Sequence, residues 1–215
     1  RAAFLAENDD IYLSTIKRRC IEATKLALNN GLCLLEIEFP PTRVNDPTSA
    51  FTFDSTVEFV REFLKDSMWT EYDSPYVVFP EKSEKEIAER RWLNSGLTPT
   101  QAKITDLDSV LRDGIEQGPC ILIVVAPGFN IEEYEKVSQL ETRDSKILIV
   151  NGYISRLRAG FYPAIFYPTL SRITKSFYTR FEQIFHLSPI AVMGDRLGAF
   201  KARQYRDDWE ILLKN

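Results

Sequence analysis

The stretch Cys120-Ile121-Leu122-Ile123-Val124-Val125-Ala126-Pro127 is the longest apolar run in the chain, and its reading decides the fold class. Aliphatic and β-branched residues without polar alternation describe a strand covered on both faces, the environment of a parallel sheet. Pro127-Gly128 closes the run as a turn. The run is far shorter than the ~20 apolar residues of a transmembrane helix, so the sequence predicts no transmembrane segment and leaves only peripheral membrane contact.

Working outward, the same grammar repeats. Upstream lie a weak strand, Ala102 to Thr105, and a helix, Leu107 to Glu116; downstream lie a helix, Ile131 to Leu140, and a strand, Lys146 to Val150, closed by Asn151-Gly152. Nearer the start, Asn8, Asp9 and Asp10 cap an amphipathic helix with Leu13, Ile16, Cys20, Ala23 and Ala27 at helical spacing and Gly31 as its stop. Leu32 to Phe39 follows as a strand ended by Pro40-Pro41, which cannot donate to a ladder. After a loop from Thr42 to Thr52, Asp54 and Ser55 introduce a helix carrying Val57, Val60, Phe63 and Leu64. Pro75 to Pro80 is a short strand, and Glu81 to Asn94 a charged helix stopped by Gly96.

Short apolar strands alternating with helices imply one α/β domain over residues 1–215, built on a mostly parallel open sheet with helices on both faces. Past Pro168 the pattern changes. Ile173, Phe177, Phe181 and Ile184 predict a long helix from about Leu170 to Phe185. Ile190 to Met193, Ala199 to Tyr205 and Trp209 to Leu213, separated by turn residues, then predict a C-terminal antiparallel β-meander.

The composition is that of a packed globular chain, with 44% hydrophobic and 27% charged residues. A formal net charge of -4 gives no global attraction to nucleic acid. Cys20, Cys33 and Cys120 stand far apart among apolar neighbours, which predicts buried thiols rather than a disulfide or a metal site. No glycine-rich phosphate loop and no nucleophile-elbow motif is present, so no cofactor is called for. The single histidine, His186, falls at the expected end of the long helix and reads as a terminal cap.

In an open parallel sheet the ligand crevice lies beyond the carboxyl ends of the strands. Glu38, Arg43, Asn151, Arg156 and Arg158 all fall there and are the ligand-binding candidates. Glu36 and Glu38 share one face of their strand at about 7 Å spacing, a separation compatible with paired-carboxylate chemistry, but acidic residues near a strand end more commonly pair with nearby Arg or Lys, which is the favoured reading. Aromatic residues concentrate between Phe161 and Phe185 among basic ones. The basic residues Arg172, Lys175 and Arg180, with Tyr178, would face away from the apolar stripe of the long helix and are the partner-binding candidates.

Several segments together carry a resemblance: Gly31 to Pro41, the strand ending in Asn151-Gly152, Phe181-Glu182 before Leu187-Ser188-Pro189, and Gly198-Ala199-Phe200 before Trp209. They resemble a domain-of-unknown-function family of plants, algae and cyanobacteria. That family includes the low photosystem II accumulation protein and the C-terminal part of a chloroplast adenylate-kinase-like protein. The resemblance implies a chloroplast protein, stromal or peripheral to the thylakoid membrane, from which a transit peptide preceding Arg1 has been removed. It further implies a non-catalytic auxiliary factor that assists assembly or accumulation of a photosystem by binding a thylakoid complex subunit or another assembly factor. The alternative from the residues themselves is a ligand-binding protein or enzyme with its site on the strand-end rim.

Overall fold

A computed structural model describes residues 9–40, 49–71, 75–93, 102–115, 120–192 and 195–213. Eight strands form one sheet in the order β3-β2-β4-β5-β1-β6-β7-β8. They are β1 (Leu34–Glu38), β2 (Tyr76–Phe79), β3 (Lys103–Asp106), β4 (Cys120–Val125), β5 (Ser145–Val150), β6 (Glu182–Val192), β7 (Asp195–Gln204) and β8 (Glu210–Leu213). Neighbours from β3 through β6 pair in parallel, and β6-β7-β8 pair antiparallel. The sheet is therefore α/β and mostly parallel with a C-terminal meander, as the strand patterns predict.

Seven α-helices are described: α1 (Asp9–Asn29), α2 (Ser49–Phe63), α3 (Lys82–Leu93), α4 (Leu107–Asp113), α5 (Ile131–Val137), α6 (Ile154–Arg158) and α7 (Pro168–Ser176). The buried strand β4 separates two apolar layers. Leu35, Ile37 and Phe39 point into one, with α1, α2 and α3; Leu34, Leu122 and Val124 point into the other, with α4 to α7. Each helix presents one apolar stripe, so a sheet with two apolar faces needs both layers to exclude water. The first helix ends as expected: Gly31 adopts φ +78°, which costs a glycine little, and Leu32 N donates back to Ala27 O at 3.1 Å.

The long helix is a misreading in its second half. The helix α7 stops at Ser176, a 3-10 turn covers Tyr178–Arg180, and Phe181 passes the chain into β6. No glycine or proline marks this ending. Arg158 supplies it from outside, its guanidinium donating to Tyr178 O at 3.2 Å and to Phe181 O at 2.8 Å, so that the last carbonyls of the turn are satisfied by a tertiary partner. The strand that follows begins before Pro189 and its first part runs parallel to β1, with Glu38 beside His186. Three other expectations change. The helix α2 starts at Ser49, inside the expected loop. Cys33 is exposed and Cys120 half-buried, leaving only Cys20 fully enclosed. His186 is a strand residue, not a helix cap.

Candidate functional site

The connection after β1 crosses to one face of the sheet through α2, and the connection after the adjacent β5 crosses to the other through α6. Such a divergence opens a crevice at the carboxyl ends. Asn151 closes it. Its backbone turns left-handed (φ +54°), its N–H donates to Ile37 O, its Oδ1 accepts from Phe39 N and its Nδ2 donates to Thr56 Oγ1, each at 2.8 Å. With 1% exposure, the amide is wholly committed to joining β1, β5 and α2.

A second divergence lies between β2 and β4, where α3 and α5 leave on opposite faces, and a hollow of about 220 Å³ is found there, lined by Pro80, Glu81, Lys82, Asp108, Asn130 and Glu133 among others. The amides at such a turn suit an anion. Here the Glu133 carboxylate occupies that place, accepting from Gly128 N at 2.7 Å, Phe129 N at 3.0 Å and the Asn130 side chain at 2.8 Å.

Beside the first crevice, Glu36 and Glu38 lie on the α6 face of β1, 0% and 8% exposed. Arg158 Nη1 stands 3.0 Å from Glu36 Oε2, while Glu38 accepts from Ser155 Oγ at 3.1 Å. The Arg158 guanidinium beside Glu36 is not aligned for a good hydrogen bond to it, and the Glu38 carboxyl lies within reach of Glu36 for a shared proton. Burial, only partly offset by Arg158, pushes Glu36 up to about 7, and burial raises Glu38 as well. A pair holding one proton and one charge against one guanidinium is the arrangement this geometry favours.

Next to Glu38 in the sheet, the His186 ring bonds Ser188 Oγ through Nε2 at 2.8 Å and meets the Trp209 ring edge-on at 5.3 Å. Burial, with Lys201 adding to it, lowers its pKa to about 4, so it is neutral at ordinary pH. Its Nδ1 has no hydrogen-bond partner among the described residues.

Of the ligand candidates, then, Glu38 and Arg158 belong to one cluster, with the carboxyls buried and the guanidinium reaching the surface. Arg156 stacks on the Tyr153 ring at 4.3 Å beside it, and Asn151 is a structural clasp. Arg43 lies outside the described residues. Of the partner candidates, Arg172 and Lys175 are exposed on α7, and Arg180 is held by Glu141 at 2.6 Å. Tyr178 does not face solvent: the helix ends before it, and the 3-10 turn aims its ring into the core, 0% exposed, with its hydroxyl donating to Tyr134 O at 2.7 Å.

The meander presents another surface. Along β7, Phe200 and Ala202 are buried against the α1 layer, while Lys201 is exposed and Arg203 half-exposed on the opposite face. Trp209 (45% exposed) and Ile211 (68%) join them there, with Lys201 Nζ 3.8 Å above the indole ring.

Residues 13–215 match the family model described as Domain of unknown function (DUF1995). The chain belongs to that family. No curated protein and no solved structure matches it. In this DUF1995 domain, the sequence singles out neither Ser155 nor, beyond a helix cap, His186, and it reads Trp209 only as the start of a strand. The first two are positioned by strand pairing and a short helix that leave no periodic trace. Trp209 did leave one, a lone large aromatic directly after the charged turn Arg206-Asp207-Asp208.

Proposed function

We propose that the chain is a non-catalytic auxiliary factor that assists assembly or accumulation of a photosynthetic complex in the chloroplast, binding a thylakoid complex subunit or assembly factor through the open face of its meander. The observation that carries this reading is the half-exposed Trp209 with Ile211 and Lys201 on a sheet face that α1 does not back. Tryptophan and arginine are the residues enriched at interface hot spots, and Arg203 lies 5.8 Å from the Trp209 ring on this face. A non-catalytic role is favoured by the two strand-end crevices, whose polar groups are bonded by the chain's own Asn151 and Glu133. The photosynthetic setting rests on the resemblance to the family of plants, algae and cyanobacteria that includes the low photosystem II accumulation protein, and with it the stromal or thylakoid-peripheral location. The test is quantitative co-purification from chloroplasts: Trp209→Ser with Ile211→Ser loses the partner, whereas Glu38→Gln retains it.

A second reading has its own observation. The buried Glu36–Glu38 pair, held near neutrality beside Arg158, is suited to proton transfer for a ligand at the rim. Under that reading a small molecule from a metabolite panel stabilises the wild type in thermal shift and fails to stabilise Glu38→Gln.

A further inference from the structure

Between Gly152 and Phe181 the chain carries Arg156, Arg158, Arg172, Lys175 and Arg180 and not one acidic residue, although the whole chain is net negative. Two of these charges are consumed internally, Arg158 by Glu36 and Arg180 by Glu141. Arg156, Arg172 and Lys175 are exposed and form no ion pair with a described residue.

The loop joining α6 to α7 lies within this segment and displays apolar side chains outward. Phe161 is 68% exposed, Ile165 83% and Phe166 73%. It is a built loop, since Phe161 N donates to Arg156 O at 3.1 Å, and both Phe166 N and Tyr167 N donate to Pro163 O at 3.0 Å. Tyr162 anchors it inward, its ring edge-on to Tyr134 at 6.4 Å, to Phe161 at 5.2 Å and to Tyr167 at 5.6 Å. With Tyr162 turned to the core, Phe161, Ile165 and Phe166 are left exposed within one six-residue stretch of the loop.

We infer that Gly160–Tyr167 is a docking loop for the surface of an anionic lipid bilayer. Phe161, Ile165 and Phe166 enter the boundary between headgroups and acyl chains, and Arg156, Arg172 and Lys175 meet the lipid phosphates. The rise of a helix places Arg172 and Lys175 roughly 6 and 10 Å along α7 from Pro168, the residue that follows the loop. Basic residues near an inserted loop can extend their stems along the apolar surface and keep their charges among the headgroups. Charge complementarity selects an anionic surface over a neutral one, and an aliphatic tip residue between two phenylalanines suits acyl chains better than stacked bases. The residues of this contact are other than those of the meander interface, so each can be substituted without the other.

The test is flotation of the full chain with vesicles of phosphatidylcholine alone and of phosphatidylcholine mixed with phosphatidylglycerol. Wild type is expected to float with the mixture and far less with phosphatidylcholine. Arg172→Glu with Lys175→Glu should lower affinity for the mixture by about fivefold or more per residue and erase the preference between the two vesicles. Phe161→Ser, Ile165→Ser and Phe166→Ser together should lower it more than about 100-fold, with an unchanged melting curve because all three are exposed. Trp209→Ser with Ile211→Ser should float as wild type does, which separates this result from the partner-capture experiment. Failure of wild type to float with the mixture, or flotation of the triple serine variant at wild-type affinity, overturns the inference. So does loss of the protein partner on triple serine substitution in a chain that ignores both vesicles.

Discussion

Two buried groups on adjacent strands, Glu36 and His186, should make the pH dependence of stability cancel, and removing either should expose the other. Glu36 rises from the 4.5 of a free glutamate to about 7 because it is enclosed. A raised carboxyl takes up a proton on folding, so its contribution is complete below pH 4.5 and is lost as pH climbs toward 7. His186 falls from 6.5 to about 4 for the same reason, with Lys201 adding to it. A lowered imidazole contributes fully above pH 6.5 and loses that contribution as pH falls toward 4. Each shift corresponds to about 3 kcal/mol across its window, with slopes near 1.4 kcal/mol per pH unit and of opposite sign. Between pH 4.5 and 6.5 the two nearly offset each other. Glu36→Gln therefore leaves the histidine slope bare, and its stability relative to wild type should climb by about 2–3 kcal/mol from pH 4.5 to 7. His186→Asn should drift the opposite way. Urea unfolding of the three proteins at half-unit pH steps measures this, and the difference curves remove the background of the surface carboxylates, while the Glu36→Gln curve includes the altered titration of its partner Glu38. Difference curves flat to within about 0.5 kcal/mol would refute the reasoning.

Other outcomes follow from the same geometry. Asn151→Ala should cost about 3 kcal/mol, since it removes the acceptor for Phe39 N and the donor to Thr56 and places a Cβ-bearing residue without a polar side chain at φ +54°; chemical denaturation checks it. A thiol reagent should modify exposed Cys33 first and Cys120 more slowly. Cys20, fully buried with its pKa raised well above the usual thiol value, should react only on unfolding, as mass spectrometry of a time course would report.

The sheet was legible because its core strands are written in uninterrupted aliphatic residues. Cys120 to Val125 and Ser145 to Val150 pair in register along their whole length. What escaped was the passage from α7 into β6. Ile173, Phe177, Phe181 and Ile184 keep helical spacing across it, and the strand's own alternation is broken by a bulge opposite Glu36 and Ile37, which sends both Ile184 and Phe185 into the same layer. The terminator was Arg158, about twenty residues upstream and reachable only through the fold.

The site was half legible for a related reason. The rim position of Glu38, Asn151 and Arg158 follows from strand ends, which sequence marks with Pro and Gly. Whether a side chain there is free or spent depends on partners such as Thr56, Ser155 and Phe181, which the chain brings from elsewhere. Tyr178 illustrates the cost, because its exposure was inferred from a helix that ends before reaching it.

The most direct test of the account is photosystem accumulation, measured by chlorophyll fluorescence and immunoblot, in a chloroplast-bearing host that lacks the protein and is complemented with variants. The account predicts that Glu38→Gln restores accumulation fully and that Trp209→Ser with Ile211→Ser restores little of it at equal protein abundance. Full restoration by the meander variant, with failure of Glu38→Gln, would contradict it.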